Sequence, residues 1–308
     1  MTTGAHWLVT GASSFLGREL CRALTESGAR ATALLRPTSD ASGLAALPAP
    51  PDMIVDTGDS DALTSALSDA APDGVMHIAG RYIKDGAENQ DANPAIMVDA
   101  NVGFGTRLLS AMQRAGVNRL VNTGSYFEHM DGDGARPLNL YAATKQAFQS
   151  VIAYHADAHG LQASTLVLYD TFGPGDTRGK LMQAIRNAAR NGTTLPVPAE
   201  DPALDMVYIS DVTAAYVSAG RQLVENPSAV AGGRFAVRHG TPVTIRGMVA
   251  AFERVSGRTI ITETGAWPAP SRTISVMWDG PPLPGWQPEV TLDEGIRLYL
   301  QEEATDAC

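Results

Sequence analysis

The chain has 308 residues, 44% of them apolar and 18% charged, so it has enough apolar side chains for a full core and too few charges for a disordered chain. Its formal net charge of −10 argues against nucleic acid or an anionic membrane as a partner, because both repel an acidic protein. The two cysteines, Cys21 and Cys308, exclude a disulfide framework, and no apolar run reaches the roughly 20 residues of a membrane span.

Strands and helices alternate in the pattern of the first 172 residues. Short apolar runs predict strands at 6–10, 31–35, 53–56, 75–79, 120–123 and 163–169. Amphipathic periods predict helices at 16–27, 59–70, 95–115 and 140–159. This alternation is typical of the α/β class, here a Rossmann-type, doubly wound parallel sheet.

Proline and glycine become frequent after residue 172. Shorter helices are predicted at 180–191, 212–224 and 244–255, and short strands at 207–209 and 235–237. We therefore predict a dinucleotide-binding domain over 1–172 and a smaller substrate-binding lobe over 173–308, with elements such as 204–225 returning to the first domain. The lobe should cover the carboxyl edge of the sheet, where open α/β sheets bind ligands.

A glycine-rich turn, GASSFLG, joins the first strand to the first helix. Gly11 permits a tight turn and Gly17 a close approach of helix to strand, while the helix N-terminus offers unpaired N–H groups to an anion. A plain strand–helix turn is the alternative. The strand–turn–helix context at the N-terminus favours a dinucleotide site.

The end of the second strand predicts which dinucleotide binds. NAD enzymes place an acidic residue about 20 residues after the glycine turn, where it binds the ribose 2′-hydroxyl. Here Arg36 occupies that region, and its guanidinium suits the 2′-phosphate of NADPH. A solvated surface arginine is the alternative interpretation. We predict NADPH/NADP as the cofactor, with NAD less favoured.

Tyr141 and Lys145 begin the predicted helix at 140–159. Residues four apart share one helix face, so the phenol and the ammonium can reach one site. A lysine charge there should lower the pKa of the tyrosine toward working pH. Ser125 ends a preceding apolar strand at the edge where chemistry is expected.

Several motifs occur together, in one order, along nearly the whole chain: VTGASSFLG, HIAG, NVGFGTRLL, NTGS, YAATK, FGPGD, LDMVYISDV and LPGWQPEVTLDEGI. Their order resembles the extended short-chain dehydrogenase/reductases, the NAD-dependent epimerase/dehydratase family. NTGS followed by LYDTFGPGD looks most like CDP-abequose synthase-like nucleotide-sugar 4-ketoreductases. The resemblance implies that Tyr141 is the proton donor, that Lys145 anchors the ribose, and that Ser125 binds the substrate carbonyl.

The same resemblance implies the cofactor-binding residues: Gly11, Ser13, Ser14, Phe15, Leu16 and Gly17 at the pyrophosphate, Arg36, Asp56 and Thr57 at the adenosine, and Ala79, Gly80, Asn101, Thr123, Tyr141 and Lys145 along the strand ends and central helices. It implies substrate contacts from Arg81, Ser125, Tyr126, Glu128, Asp170, Lys180 and Arg272.

Four positions depart from the family pattern. Ser14 replaces the middle glycine, which predicts a looser backbone approach there. Val167, Asp170 and Leu204 replace residues that the family uses near the sugar diphosphate, so Lys180, Arg178 or Arg272 would substitute for them. The histidines show no metal-ligand spacing, and no metal is predicted.

The function predicted from these features is the NADPH-dependent reduction of the C4 ketone of a nucleoside-diphosphate 4-keto-6-deoxyhexose. The alternatives are a nucleotide-sugar 4-epimerase, a reductase of a non-sugar ketone or aldehyde, and an NADP-sensing protein without turnover. Because no signal peptide is recognisable, we expect a cytoplasmic protein. The resemblance also implies a homodimer, paired through the helices that carry Asn101 and Tyr141.

Overall fold

The computed structural model describes residues 4–82, 94–132, 134–267 and 272–306. Cys308 lies outside these ranges. Seven parallel strands form the central sheet. In chain order they are β1 (His6–Thr10), β2 (Arg30–Leu35), β3 (Asp52–Val55), β4 (Gly74–His77), β5 (Arg119–Ser125), β6 (Gln162–Leu168) and β11 (Arg234–Val237).

Their spatial order is β11-β6-β5-β4-β1-β2-β3. Because the order reverses beside β1, the crevice at the carboxyl edge opens next to the glycine turn. Six further short strands form two-stranded pairs beyond this edge. These are β7 (Asp170–Phe172), β8 (Leu195–Val197), β9 (Ala203–Leu204), β10 (Met206–Tyr208), β12 (Val243–Thr244) and β13 (Thr262–Thr264).

Helices pack on both faces of the sheet and within the lobe. They are α1 (Phe15–Glu26), α2 (Ser42–Ala45), α3 (Ser60–Ala70), α4 (Pro94–Val98), α5 (Phe104–Arg114), α6 (Leu140–His159), α7 (Leu181–Asn191), α8 (Ile209–Glu225), α9 (Ile245–Ser256) and α10 (Leu292–Asp306). The predicted α/β Rossmann-type fold is thereby confirmed. The side chains of Trp7 and Val9 join one core cluster and that of Leu8 the other, as alternation along a strand requires.

Helix α6 has well-defined signals at both ends. The Asn139 side chain accepts a hydrogen bond from the Ala142 amide at 3.0 Å, and Gly160 ends the helix with a φ of 69°. Tyr141 therefore lies in the first turn, close to the carboxyl edge of the sheet, and Lys145 follows one turn later.

The long helix predicted over 95–115 is interrupted. A π-helical segment, Asp99–Gly103, separates α4 from α5 and contains Asn101. π-Helical turns are frequent at functional sites because they turn a side chain away from the regular helical register. The short helix α2 lies between the strands predicted at 31–35 and 53–56, where no helix was predicted, and the C-terminal helix α10 was not predicted either.

Residues beyond 172 contribute to the main sheet as well as to the lobe. Strand β11 is hydrogen-bonded to β6, and helix α8 packs against α1, so elements of the second half lie against elements of the first. The boundary at residue 172 stays a prediction. None of the described helices is long and apolar enough to span a membrane.

Candidate active site

The turn between β1 and α1 is shaped by two glycines. Gly11 has a φ of 68°, and a Cβ there would lie 2.8 Å from the Ala79 nitrogen. A Cβ on Gly17 would lie 2.2 Å from the Gly11 carbonyl oxygen. Ser14 caps α1, because its hydroxyl accepts a hydrogen bond from the Gly17 amide at 3.1 Å. The serine in place of the family's middle glycine thus stabilises the helix start.

The predicted adenosine end lies at the carboxyl ends of β2 and β3. Arg36 is exposed, and its side chain has no hydrogen bond or ion pair within the described ranges. Asp56 is buried, with Oδ2 2.5 Å from Arg107 Nη2 and Oδ1 accepting a hydrogen bond from the Gly58 amide. Thr57, beside Asp56, is exposed. Arg107 was not among the predicted site residues.

A chain of hydrogen bonds supports the end of β4. The Thr10 hydroxyl bonds to His77 Nδ1 at 2.8 Å, and the Ala79 amide donates to the Thr10 hydroxyl at 3.1 Å. Thr123 donates to the His77 carbonyl at 2.7 Å and shares a 2.6 Å hydrogen bond with Tyr216. Burial lowers the pKa of His77 to about 3, and the Lys145 charge contributes to that fall. His77 is therefore neutral, and its role is structural.

Asn101 and Lys145 converge on Gly80. Asn101 Oδ1 accepts a hydrogen bond from the Arg81 amide at 2.6 Å, and its Nδ2 donates to the Arg81 carbonyl and to the Thr144 hydroxyl. A Cβ on Gly80 would lie 3.3 Å from Lys145 Nζ. The lysine is 4% exposed, and burial lowers its pKa to about 8 despite the opposing effect of Glu128. This ammonium can bind a ribose while remaining largely protonated at neutral pH.

The phenol of Tyr141 has a higher pKa than the sequence predicted. Lys145 Nζ lies 5.8 Å from the ring centroid. Burial raises the pKa of Tyr141, as do Glu128 and Tyr82, whereas Arg178 lowers it. The expectation that Lys145 brings this pKa toward neutrality is not met in the structure, because burial outweighs the positive charges. Tyr141 is accordingly fully protonated, as a proton donor must be.

Ser125 ends β5 and begins a 3₁₀ turn, Tyr126–Glu128. Its hydroxyl accepts a hydrogen bond from the Phe127 amide at 3.3 Å, and its own amide donates to Glu128 Oε1 at 2.8 Å. Glu128 Oε2 lies 2.7 Å from Arg234 Nη2. Serine and glutamate therefore form a capping box, which holds the Ser125 backbone in place.

Tyr126 and Asp170 are joined directly. The Tyr126 hydroxyl donates to Asp170 Oδ2 at 2.7 Å, and its ring stacks on Tyr169 with centroids 4.7 Å apart. Tyr126 is buried and Asp170 partly buried, so the pair forms a wall beside Ser125.

Two cationic residues, Arg178 and Lys180, lie on the side of the site that faces the lobe. Arg178 donates to both oxygens of Asp176 at 2.6 Å and lies over the Phe15 ring, 4.8 Å from its centroid. Lys180 is exposed over the residue as a whole, but the packing around its ammonium lowers its pKa, with Asp170 opposing that effect. The ring contact brings Arg178 to the glycine turn, and Lys180 lies near Asp170.

Other predicted residues lie at the margin. Arg272 is exposed and donates to the Pro137 carbonyl at 2.8 Å, and the Arg81 side chain is exposed. Ser13, Phe15 and Leu16 lie in the glycine turn and the first turn of α1. No group of three or more potential metal ligands occurs among the described residues. A separate cleft of about 1120 Å³ between α1, α8 and segment 285–290 contains none of the predicted site residues.

Sequence reasoning missed the residues that hold the site from a distance: Arg107, Gln146, Tyr216 and Arg234. Each contacts a predicted residue through its side chain. The one signal in the sequence was Arg234 itself, a charged residue directly before the apolar run of β11. Its position alone does not predict Glu128 as its partner.

Comparison with known proteins agrees with this architecture. CDP-abequose synthase of Yersinia pseudotuberculosis is 28% identical over 156 residues, covering 50% of this chain and 53% of that protein. CDP-abequose synthase of Salmonella typhimurium is 24% identical over 96% of this chain and 97% of its own length. A UDP-glucose-4-epimerase structure from Stenotrophomonas maltophila, with bound NAD and formylated UDP-arabinopyranose, superposes with a TM-score of 0.84 at 22% identity, covering 99% of this chain and 100% of that one.

The family model described as the NAD dependent epimerase/dehydratase family matches residues 7–232, which is more than half of the chain. The matched range contains the glycine turn, Ser125, Tyr141 and Lys145, and it ends just before β11. The fold, the match and the ordered motifs lead to one conclusion: this chain belongs to the NAD dependent epimerase/dehydratase family.

Proposed function

We propose that this protein is a nucleotide-sugar-modifying enzyme that uses NADPH to reduce the C4 ketone of a nucleoside-diphosphate 4-keto-6-deoxyhexose. The observation that carries the proposal is the Tyr141–Lys145 pair, whose ammonium lies 5.8 Å from the phenol ring centroid. Ser125 at the end of β5 and Arg36 directly after β2 support it. The likeness to two CDP-abequose synthases supports a reductase.

The residues present suit a nicotinamide dinucleotide. The glycine turn leaves no room for a Cβ at Gly11 or Gly17, so the backbone there can approach a pyrophosphate closely at the N-terminus of α1. Asp56 retains acceptor capacity for an adenine amine, because each carboxylate oxygen has two lone pairs. The unpaired Arg36 side chain suits a 2′-phosphate. Bound NADPH supplies a hydride to the ketone.

The chain's own groups handle the oxygen and its proton. Tyr141 donates its phenolic proton to the carbonyl oxygen as negative charge develops there, and the Ser125 hydroxyl hydrogen-bonds the same oxygen. Lys145 remains an ammonium beside Tyr141 and stabilises the phenolate that is left after the proton transfer. Lys180, and Arg178 with it, supply positive charge for a diphosphate in an otherwise acidic protein.

A 4-epimerase is the second candidate, because the epimerase structure that superposes on this chain holds NAD. The same three groups could serve an oxidation followed by a reduction on the opposite face. Because NAD has no 2′-phosphate, a retained NAD would give Arg36 no group to bind, and this favours the reductase.

One assay separates the two. Purified protein is incubated with CDP- and dTDP-linked 4-keto-6-deoxyhexoses, and with UDP-glucose, in the presence of NADPH or NADH. The proposal predicts stoichiometric loss of NADPH absorbance and a product two hydrogens heavier by mass spectrometry. Interconversion of UDP-glucose and UDP-galactose without net cofactor consumption identifies an epimerase. Turnover of an aromatic or steroid ketone alone identifies a non-sugar reductase, and cofactor binding without any turnover identifies a sensor.

A further inference from the structure

Glu128 is a fully buried carboxylate whose oxygens both have protein partners. The residue is 1% exposed. Oε1 accepts the hydrogen bond from the Ser125 amide at 2.8 Å, and Oε2 accepts one from Arg234 Nη2 at 2.7 Å. The side chain is therefore engaged within the protein and, at 1% exposure, closed to solvent, whereas the family resemblance implied a substrate contact.

These contacts join three elements around the reacting groups. The Glu128 side chain belongs to the 3₁₀ turn after β5, Arg234 is the first residue of β11, and the Glu128 carbonyl accepts a 2.6 Å hydrogen bond from Gln146 on α6. Gln146 directly follows Lys145. A displacement of Glu128 would therefore also displace Ser125 and the helix that carries Tyr141 and Lys145.

The charge of Glu128 acts on the same two residues. Among the described titratable groups, Lys145 faces Glu128, His77 and Tyr141, and Glu128 raises the pKa of Lys145 against the effect of burial. Tyr141 faces Glu128, Tyr82 and Arg178, and Glu128 again raises the pKa. Burial raises the pKa of Glu128 itself, and Arg234 is the main influence that lowers it.

We propose that Glu128, held ionised by Arg234, is a positioning residue that fixes the Ser125 backbone and keeps a negative charge beside Lys145 and Tyr141, so that both retain their protons for the reaction. This inference rests on the proposed function for the roles of Ser125, Tyr141 and Lys145. Its electrostatic part can be measured without turnover.

The direct test uses the small number of lysines. The chain has three, Lys84, Lys145 and Lys180, so ¹³C-lysine NMR of the full-length protein gives three titrating signals, and Lys145→Met identifies one. Glu128→Gln should lower the pKa of Lys145 by about one unit from its value near 8, because removal of an adjacent opposite charge disfavours the ammonium. An unchanged Lys145 pKa in that variant overturns the proposal.

The matched control is Asp211→Asn. Asp211 is also buried and accepts a hydrogen bond from the Val290 amide, and it is not among the groups that shift the pKa of Lys145 or Tyr141. The loss of one buried negative charge at Asp211 should leave the pKa of Lys145 unchanged. A shift as large as that of Glu128→Gln would mean that the effect is one of general charge, and it would also overturn the proposal.

The second test is the pH profile of kcat with whichever substrate the unmodified protein turns over. Deprotonation of Tyr141 or Lys145 ends turnover at high pH, so Glu128→Gln should move the basic limb to lower pH by about one unit. Arg234→Gln should instead move the acidic limb to higher pH, because Glu128 then takes up a proton more readily. A lower kcat with the acidic and basic limbs at the same pH as in the unmodified protein would show a merely structural role and contradict the proposal.

Loss of one partner of a buried ion pair can prevent folding. For that case we specify the double variant Glu128→Gln with Arg234→Met, which leaves no unpaired buried charge and should show the same fall in the pKa of Lys145. If the unmodified protein turns over none of the candidate substrates, the proposed function fails, but the NMR titration still decides the charge relation between Glu128 and Lys145.

Discussion

The cofactor side and the substrate side of the sheet edge are built by different means. On the cofactor side, backbone geometry defines the site through the positive φ of Gly11, the close approach of Gly17 and the short-range cap of Ser14. On the substrate side, side chains distant in sequence define it, as in the pairs Tyr126–Asp170 and Glu128–Arg234.

This difference determines which substitutions each side of the sheet edge can tolerate. A backbone-defined turn tolerates no added atoms, because the neighbouring backbone cannot move aside. A site held by paired side chains tolerates changes of size better than changes of charge, because an unpaired buried group costs more than a small cavity.

The largest effect is expected from Tyr141→Phe on the substrate side. The change removes one oxygen and should lower kcat by at least about 10²-fold, since general acid catalysis is typically worth about 10²–10⁴-fold. Cofactor affinity, measured by fluorescence titration, should be unchanged. Tyr154→Phe on the same helix is the control, because that ring is 59% exposed. Near-normal turnover by Tyr141→Phe would place the chemistry elsewhere.

On the cofactor side, Gly17→Ala should cost stability and cofactor binding together. The new Cβ would lie 2.2 Å from the Gly11 oxygen, and relieving such a clash typically costs about 1–3 kcal/mol. Denaturant unfolding with and without NADPH measures both effects. Gly134→Ala is the control, since a Cβ there meets nothing within 4 Å. Equal stability of the two variants would show that the turn is less rigid than its geometry indicates.

An effect of similar size, but limited to cofactor binding, is expected at Arg36, where an exposed side chain rather than the backbone is responsible for specificity. Arg36→Asp should weaken NADPH binding by about tenfold or more, because it removes hydrogen bonds to a charged phosphate, worth about 1.5–3 kcal/mol, and adds a like charge. NADH affinity should stay the same or rise. Equal affinity of the unmodified protein for NADPH and NADH would contradict the predicted cofactor choice.

The smallest effect on chemistry is expected from disrupting the predicted homodimer. Apolar side chains are exposed on the two helices expected to pair, with Ile96 at 44% and Val98 at 43% on α4 and Tyr154 at 59% on α6. We expect light scattering to give twice the chain mass of 32.4 kDa, and Val98→Glu to reduce it toward one chain with little loss of kcat. A single-chain mass for the unmodified protein at micromolar concentration rules the dimer out.

Much of this protein follows from local sequence pattern. The strand and helix periods predicted the doubly wound sheet, and β1 and α6 have the bounds that were predicted. Gly11 and Gly17 identified the turn because few other residues fit it, and the four-residue spacing placed Tyr141 and Lys145 on one face because a helix has about 3.6 residues per turn. These features depend only on neighbours along the chain.

The tertiary structure decided the rest. The pairs Asp56–Arg107 and Glu128–Arg234 join residues 51 and 106 positions apart, and only the order of strands and helices brings them together. The π-helical segment that turns Asn101 toward Gly80 has no signature in hydrophobic period. Burial, which no local pattern reports, reversed the expected direction of the Tyr141 pKa. Charge balance in a buried site depends on every element packed around it, so the electrostatics of this site could be read only from the folded chain.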